Sequence, residues 1–393
     1  MINIRTFKFA PVAAALIGAA SVATAQEPTP VEVTALLGVT GPLASLDVPT
    51  SEGIKLAASQ VNEGGGFEVD GKMYRLDVNV VDVQGRPDQA VGAARQLLND
   101  PSVIAILGPV ASSLAVPVAE ISQPRMLQLT PSTITQTMIG QPGKELLFNT
   151  LNPQYGETGI ASGYVDWLKA NILDSEGISS IALLLPNDSF GQLQVDFFSE
   201  AFAEIGLETT AVEIFEPGTS DFSAQLTKIK GGEPDALFWG YTDEVGKTII
   251  RQALELGVTK KFIAAPGPSG ASAADQSDRI DFAVWPSSVV SLSNPSDSMT
   301  EFVDAYEAQV GRDINPGDQF ALYLYDATRM LVEAMKAAGS VDDKEKIAEA
   351  LRGLQYSGVM DINVSDQGQF LTDWDVGLMR TGGDIEWTTV KAN

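Results

Sequence analysis

The sequence predicts an α/β protein built from two lobes, each a doubly wound parallel sheet with helices on both faces. Strand-like apolar runs alternate with helix-like segments over residues 31–129, and the same alternation begins again at residue 160. The stretch between them contains Pro142, Gly143 and Pro153, which indicates a loop and a first crossing between domains. With 393 residues, the chain is long enough for two domains.

The first predicted lobe alternates strictly between strands and helices. Its elements, in chain order, are a strand at 31–38, a loop at 38–49, a helix through 54–61 that ends at glycines 64–66, a strand at 76–82, a helix from Pro87, a strand at 103–107, a helix at 114–121 and a strand at 125–129. Such β-α alternation predicts parallel strands covered by helices on both sides.

The second predicted lobe repeats this pattern after a crossing at residues 151–155. Its elements are a helix through 160–168, a strand at 180–185, a helix at 192–205, a strand at 208–214, a helix that Asp221 caps, a strand at 235–239, a helix at 245–256 that Gly257 ends, and a strand at 261–265. When the strand ends of two such lobes face each other, the gap between them is a cleft that suits a small ligand.

The last hundred residues depart from the alternation. Residues 283–292 indicate a strand that becomes a connector; helices follow at 297–310, 318–338 and 344–354, and antiparallel strands at 358–364, 374–379 and 386–390. A β-rich tail after a helical stretch indicates that the chain returns to a domain that it left earlier. We therefore predict one lobe from 26–151 plus 287–356, and the other from 152–286 plus 357–393.

Residues 1–25 are predicted to be an export signal. Arg5 and Lys8 form a short positive start, residues 9–22 are apolar but too few for a membrane span, and Ala23-Thr24-Ala25 fits the small-x-small cleavage rule. No Cys follows the cleavage site, so the sequence offers no point for lipid attachment. These features predict a soluble, exported mature chain without a membrane anchor, periplasmic in a bacterium with two membranes.

The composition excludes several classes of function. The chain contains no His and no Cys, which removes Ser-His-Asp and Cys-His catalysis and makes zinc, copper and haem sites implausible. The formal net charge of −26 opposes binding to nucleic acid or to anionic membranes. We therefore predict a binding protein rather than an enzyme, with no cofactor, no metal and no nucleic-acid partner.

Hydroxyl side chains follow two strands of the first predicted lobe. Ser112 and Ser113 come after the strand at 103–107, and Ser132 and Thr133 come after the strand at 125–129. Because ligands of open α/β sheets bind at the carboxyl ends of the strands, these side chains predict half of a small-molecule site, suited to a carboxylate or other anion. The alternative is that the hydroxyls only cap their own helices.

Two aromatic side chains hold matching places in the second predicted lobe. Phe190 follows the strand at 180–185, and Tyr241 follows the strand at 235–239. Ligand contact and ordinary packing both remain open for them, and their place at strand ends favours ligand contact.

A set of short motifs runs through the mature chain in a fixed order. They are GVTGP (38–42), GIKLA (53–57), VNEGG (61–65), ILGP (106–109), DSFG (188–191), TSDFS (219–223) and LTKIK (226–230). On these motifs the chain resembles, almost end to end, the periplasmic solute-binding proteins of ABC transporters in the branched-chain amino acid (leucine/isoleucine/valine) class.

The resemblance implies a type I periplasmic-binding fold, in which two lobes are joined by a hinge of three crossings. It implies a monomer that closes around a small polar solute and delivers it to an inner-membrane permease; a periplasmic sensor is the alternative role. In the family, these positions match residues that contact the ligand: Leu46, Ser112 or Ser113, Ser132, Thr133, Tyr155, Phe190 and Tyr241.

Two positions depart from the family pattern. Amino acid binders of this class place a carboxylate against the ligand's ammonium group, but here the matching loop reads Pro266-Gly267-Pro268 and a second acidic position holds Gln154. A buried ammonium without a counter-charge is unfavourable, and Asp243 is the remaining candidate to supply one. Amino acids, small carboxylic or aromatic acids, and amide- or urea-like solutes are therefore all open as ligands.

Overall fold

A computed structural model of the protein describes residues 27–155, 159–266, 271–287, 295–314 and 316–390. The predicted export signal at 1–25 and the loop at 267–270, which contains Gly267, lie outside these ranges. Within them, none of the helices combines the length and the apolar composition that a membrane crossing requires.

The first lobe contains the elements that the alternation predicts, together with two short strands. They are β1 (Thr29–Leu37), α1 (Ala44–Glu63), β2 (Phe67–Val69), β3 (Lys72–Asp82), α2 (Pro87–Leu97), β4 (Val103–Leu107), α3 (Ser112–Ser122), β5 (Leu127–Thr130) and β6 (Leu147–Asn149). In the part of the chain described, the strand order is β2-β3-β1-β4-β5-β6, and every neighbouring pair except the β2–β3 hairpin is parallel. The predicted parallel sheet is confirmed.

Strand β4 shows why this sheet needs helices on both faces, because all of its residues are buried. Val103 and Ile106 belong to the core beneath α2 and α3, whereas Ala105 and Leu107 belong to the larger core beneath α1. A continuous apolar run is typical of a parallel strand that is covered on both sides.

The second lobe is built in the same way. Its elements up to residue 287 are α4 (Ile160–Leu168), β7 (Ser180–Pro186), α5 (Ser189–Glu204), β8 (Glu208–Phe215), α6 (Ser223–Gly231), β9 (Ala236–Trp239), α7 (Asp243–Leu256), β10 (Lys261–Ala264), α8 (Ala271–Ala274) and β11 (Phe282–Ser287). The strands lie in the order β8-β7-β9-β10-β11, and all of these pairs are parallel. The predicted second doubly wound sheet is therefore also confirmed.

The C-terminal part of the chain contributes to both lobes. Its elements are α9 (Asp297–Val310), α10 (Gln319–Ala338), α11 (Lys344–Leu351), β12 (Gln355–Ser357), β13 (Asp361–Val364), β14 (Phe370–Leu371), β15 (Trp374–Arg380) and β16 (Ile385–Val390). β15 pairs antiparallel with β11, and β16 pairs antiparallel with β15, so both extend the second sheet. β12, β13 and β14 form a small antiparallel sheet of their own.

The small sheet corrects the predicted division of the lobes at residue 357. Ile362, Val364 and Phe370 are buried in the first core, together with side chains of α1 and α10. The segment through Leu371 therefore packs with the first lobe, and the chain enters the second lobe only at β15. Strand alternation alone could not show this, because it does not specify which core a short hairpin covers. The other predicted bounds of the lobes stay a prediction.

Helix α10 packs against α1 at an unusually short distance. A Cβ added to Gly53 would lie 2.3 Å from the Ala321 carbonyl oxygen, far inside van der Waals contact. Only glycine fits at this crossing, so the GIKLA motif contains a packing requirement.

Helix α1 also begins earlier than predicted. Residues 43–49 are predicted to continue the loop after the turn at 38–42, yet the helix starts at Ala44 and contains Pro49, a residue that helix interiors disfavour. Pro49 has no amide hydrogen to donate within the helix. Beside it, the Thr50 hydroxyl donates to the Leu46 carbonyl at 2.7 Å. Leu46 therefore lies in the first turn of a helix, not in a loop.

The first and third crossings between the lobes are hydrogen-bonded to each other. Asn152 Nδ2 donates to the Thr372 carbonyl at 2.6 Å, and the Thr372 amide donates back to Asn152 Oδ1 at 2.7 Å. The buried Gln369 side chain donates to the Leu151 carbonyl from the same segment. Residues 288–294, between β11 and α9, lie outside the described ranges.

Candidate functional site

The two hydroxyl-bearing loops of the first lobe meet each other. Ser112 Oγ and Ser132 Oγ are 3.0 Å apart, and the Ile134 amide donates to Ser112 Oγ at 3.2 Å. Helix α3 has no side-chain cap. The Ser112 hydroxyl thus connects two neighbouring strand ends and does not cap its own helix, which argues against the capping alternative.

The loop that carries Ser132 is held from below by further hydrogen bonds. The Ser132 carbonyl accepts hydrogen bonds from Asn149 Nδ2 at 2.9 Å and from Thr135 Oγ1 at 2.7 Å. The Thr130 hydroxyl donates to the Pro109 carbonyl at 2.6 Å, which ties the two loops together. These hydrogen bonds connect the two loops to each other and to the neighbouring strand β6.

The other predicted residues of the first lobe have different surroundings. Ser113 is exposed, Thr133 is half-buried directly before a short 3₁₀ helix (Ile134–Thr137), and Leu46 is half-buried in the first turn of α1. Among the predicted hydroxyl residues of this lobe, all within the described ranges, one pair is joined by a side-chain hydrogen bond: Ser112 and Ser132.

Next to Leu46, a buried carboxyl group lies at the end of β1. Asp47 is fully buried, and its Oδ2 accepts a hydrogen bond from the Gly38 amide at 2.6 Å. Burial raises the pKa of Asp47 to about 7, and the nearby Asp82 carboxylate adds to that rise, against the Gly38 hydrogen bond. The sequence analysis missed this residue; an acid on the buried face of an apolar helix would have been the signal.

In the second lobe, Phe190 lies in the first turn of α5. Asp188 caps this helix by accepting a hydrogen bond from the Gly191 amide at 2.8 Å. The Phe190 ring is half-buried against the core beneath α4 and α5. Because the capped turn follows directly after β7, Phe190 is presented at the carboxyl edge of the second sheet.

Tyr241 lies at the same edge, directly after β9. Its ring packs edge-on against Phe215, with 5.9 Å between ring centroids, and it remains half-buried. Burial and, secondarily, the Asp188 carboxylate raise the pKa of Tyr241. Asp243, two residues further on and the first residue of α7, accepts a hydrogen bond from the Ser272 hydroxyl at 2.6 Å.

Tyr155 is held at the first crossing by both lobes. Gln136 of the first lobe donates from Nε2 to the Tyr155 carbonyl at 3.2 Å and accepts from the Gln154 amide at 2.7 Å. The Tyr155 ring packs edge-on against Phe197 and Phe198 of the second core. Its side chain is therefore 6% exposed and directed into the second lobe.

The side-chain amide nitrogen of Gln154 is engaged within the crossing. The Gln154 side chain is buried, and its Nε2 donates to the Asn152 carbonyl at 3.0 Å within the crossing.

A cavity of about 380 Å³ lies beside the hinge. It is bounded by the first crossing, the start of α4 and residues 365–372, and of the predicted ligand residues that the structure describes only Tyr155 lines it. This cavity is therefore distinct from the strand-end surface that carries Ser112, Phe190 and Tyr241. Across the described ranges, the acidic side chains do not form a group of three or more that could hold a metal ion.

The sequence and the fold agree with those of known proteins. The family described as "Periplasmic binding protein" matches residues 30–384. A leucine-, isoleucine-, valine-, threonine- and alanine-binding protein of Pseudomonas aeruginosa is 28% identical over 362 residues, which cover 90% of each chain.

Two solved structures share the fold. A leucine-binding protein from Thermotoga maritima superimposes with a TM-score of 0.75 at 22% identity, covering 92% of this chain and 99% of that one. A solute-binding protein of an ABC transporter from Rhodopseudomonas palustris, in complex with 3,4-dihydroxybenzoic acid, does so with a TM-score of 0.73 at 20% identity, covering 92% and 98%. The predicted type I periplasmic-binding fold and the predicted role in binding are thereby confirmed, and this chain belongs to the periplasmic binding protein family.

Proposed function

We propose that this protein is the ligand-binding component of an ABC importer for a small solute that carries a carboxylate. The observation that supports this most directly is the meeting of the two first-lobe loops, with Ser112 Oγ and Ser132 Oγ 3.0 Å apart at the start of α3. Two converging hydroxyls beside a helix N-terminus suit an anionic oxygen.

The charges on the two lobes favour one orientation of the ligand. The first turn of α3 contains no acidic residue, so nothing on that turn repels a carboxylate. On the second lobe, Asp188 and Asp243 both lie at strand ends, where a carboxylate would meet like charge. We therefore place the carboxylate of the ligand on Ser112 and Ser132, and its remaining atoms against Phe190 and Tyr241.

The relatives support two kinds of carboxylate ligand. The Pseudomonas aeruginosa protein is named for amino acids, and the Rhodopseudomonas palustris protein was solved with an aromatic acid. An α-ammonium group needs an anionic partner in a closed cleft, and Asp243 already accepts a hydrogen bond from Ser272. We therefore rank acids without an amine first and amino acids second.

Binding and delivery follow from the two-lobe design. The ligand first docks on the hydrogen-bonded first-lobe loops, and the second lobe then closes by motion at the crossings, bringing Phe190 and Tyr241 over it. The ligand shifts the population from open to closed, and the closed surface is what an inner-membrane permease would recognise. We further propose that residues 1–25 export the chain to the periplasm and that it acts as a monomer.

A thermal-shift screen of protein that has been unfolded, washed and refolded tests the ligand class. The panel contains aliphatic and aromatic acids, branched-chain and polar amino acids, and short amides including urea. A ligand at about one hundred times its Kd stabilises the folded state by about 2.7 kcal/mol, which is a readable shift. Stabilisation by carboxylates supports the proposal, whereas stabilisation by neutral amides alone contradicts it.

Uptake of the radiolabelled hit then tests the transport role. Cells that lack this protein should lose high-affinity uptake, and expression of the full chain should restore it. If the hit binds but uptake is unchanged, the sensor role replaces transport.

A further inference from the structure

A buried glutamine lies at the strand-end edge of the second lobe. Gln194, on α5, is completely buried, and among the residues that the structure describes neither its Oε1 nor its Nε2 has a hydrogen-bond partner. Burying an amide without partners is unfavourable, and a leucine of similar size would avoid that penalty. Within the described part of the chain, the amide is therefore a polar group without a hydrogen bond.

The position of this amide is at the ligand side of the sheet. A Cβ added to Gly240 would lie 2.4 Å from Gln194 Oε1 and 2.7 Å from the Ala265 Cβ. Gly240 follows β9 and Ala265 follows β10, so the amide reaches the carboxyl ends of two adjacent strands. Gln194 is also one helical turn after Phe190, which the proposed function places against the ligand.

A second polar group of the same kind lies beside it. The Tyr155 hydroxyl is buried and lacks a hydrogen-bond partner in the described part of the chain. Burial raises the pKa of Tyr155, and the neighbouring Gln194 amide opposes that rise, although no hydrogen bond of normal geometry joins the two. The hydroxyl therefore stays protonated and neutral at physiological pH.

We propose that Gln194 and Tyr155 bind a neutral hydrogen-bonding group of the ligand, a hydroxyl or an amide, at the end remote from its carboxylate. This inference rests on the proposed function and specifies the ligand class further. An amide and a phenol each offer both a donor and an acceptor, so a ligand hydroxyl can donate to Gln194 Oε1 and accept from the Tyr155 hydroxyl.

The surroundings of the pair define the rest of the ligand. The pair itself is uncharged, so it offers no counter-charge to a second carboxylate. Phe190, which the proposed function places against the ligand, packs against the apolar core that contains Tyr155, so the part of the ligand between its two polar ends is apolar. The inferred class is therefore an aromatic or aliphatic acid with a distal hydroxyl or amide.

Binding of matched acids to matched variants tests this inference. The probes are benzoate and 4-hydroxybenzoate, and hexanoate and 6-hydroxyhexanoate, titrated calorimetrically into ligand-stripped full-length protein. The variants are Gln194→Leu, Gln194→Met and Tyr155→Phe. The control is Gln192→Leu, which changes an exposed glutamine on the same helix.

We expect the wild type and Gln192→Leu to prefer the hydroxylated member of at least one pair. Gln194→Leu and Gln194→Met should lose about tenfold in affinity for that acid and less than about twofold for its unsubstituted partner. Tyr155→Phe should act in the same direction. Without ligand, Gln194→Leu should be at least as stable as the wild type.

Three outcomes would overturn the inference. If the wild type binds acids without preferring the hydroxylated members, the pair does not recognise a distal polar group, while the proposed function stands. If the Gln194 variants weaken both members equally and lower thermal stability, the amide has a structural role, for example toward a buried water. If no acid binds the wild type, the proposed function fails and this inference with it.

Discussion

Ser112 and Ser113 are adjacent serines with opposite surroundings. Ser112 Oγ lies between Ser132 Oγ and the Ile134 amide, whereas the Ser113 side chain is exposed. Sequence reasoning placed both near the ligand and could not choose between them, because the choice depends on which hydroxyl meets the loop after β5.

The substitution Ser112→Ala should weaken ligand binding by about 1–2 kcal/mol, the magnitude of a hydrogen bond to a charged group. Ser113→Ala is the matched control, since it removes the same atom from an exposed neighbour, and it should leave the Kd within about twofold. Calorimetric titration of the screen's best ligand measures both. Equal effects, or an unchanged Kd for Ser112→Ala, would remove Ser112 from the site.

Asp47 makes stability depend on pH. Its pKa rises from 3.8 to about 7 on folding, chiefly through burial. Between these values the folded state binds more protons than the unfolded state, so this contribution to the free energy of unfolding is full below about pH 4 and is lost as pH rises to about 7. Asp326 on α10 shares this behaviour, because burial raises its pKa to about 7 as well.

The variant Asp47→Asn should therefore gain stability relative to the wild type as pH rises from about 4 to about 7, by on the order of 2–4 kcal/mol. Asparagine keeps an oxygen to accept the Gly38 amide. Urea unfolding at pH 4.5, 6 and 7.5 measures the difference, with the exposed Asp275→Asn as control. A difference that does not change with pH would show that Asp47 is not a titrating buried acid.

At the scale of elements, the contact between α1 and α10 depends on one glycine. The 2.3 Å that would separate a Gly53 Cβ from the Ala321 carbonyl oxygen leaves no room for any side chain. Backbone of both helices would have to move apart to accept one, and the surrounding core of the first lobe is tightly packed.

Gly53→Ala should accordingly destabilise the protein by about 1–3 kcal/mol, the usual cost of overpacking. Gly92→Ala is its control in helix α2, where an added Cβ meets nothing within 4 Å. That variant should be neutral or stabilise by up to about 1 kcal/mol, because alanine favours a helix. Urea denaturation measures the free energy of unfolding of both variants. Similar losses of that free energy in the two would contradict the packing argument.

Element boundaries show where local patterns are insufficient. β4 was predicted at its observed bounds, since a short, fully apolar run that ends at a Gly-Pro pair indicates a buried strand. The start of α1 was predicted too late, because a proline in the second turn is tolerated when only one helical hydrogen bond is lost. The strand predicted at 358–364 was assigned to the second lobe, and the observed hairpin of β13 and β14 instead covers the first core.

At the scale of the whole molecule, Asn152 and Thr372 join two of the crossings through reciprocal hydrogen bonds. The pair therefore links the two crossings, and we expect it to restrain their motion relative to each other.

Asn152→Ala should lower the free energy of unfolding by about 1–3 kcal/mol, because two buried backbone groups lose their partner. It should also broaden the range of lobe orientations without ligand, seen as a larger radius of gyration in small-angle X-ray scattering. Asn171→Ala is the control: that exposed side chain donates to a carbonyl within its own helix region. Identical scattering from wild type and Asn152→Ala would show that the pair does not restrain the hinge.

Much of the protein was determined by the sequence alone. The alternation of apolar runs and amphipathic helices set two parallel sheets, since each pattern follows from local periodicity. The lack of His and Cys excluded whole classes of catalysis. The strand-end positions of Ser112, Ser132, Phe190 and Tyr241 followed from the same alternation, because a strand's end is visible in the chain.

Only the tertiary structure decided which of these groups meet. The contact between Ser112 and Ser132, the close crossing of α1 and α10, and the attachment of residues 355–371 to the first core all join segments far apart in sequence. Gln194 lies on one face of α5 with Phe190 and Phe198, so the spacing of these residues alone predicts an ordinary core position for it. Its amide and the Tyr155 hydroxyl are both buried without a hydrogen bond in the described part of the chain. That is a property of packing, which local patterns do not encode.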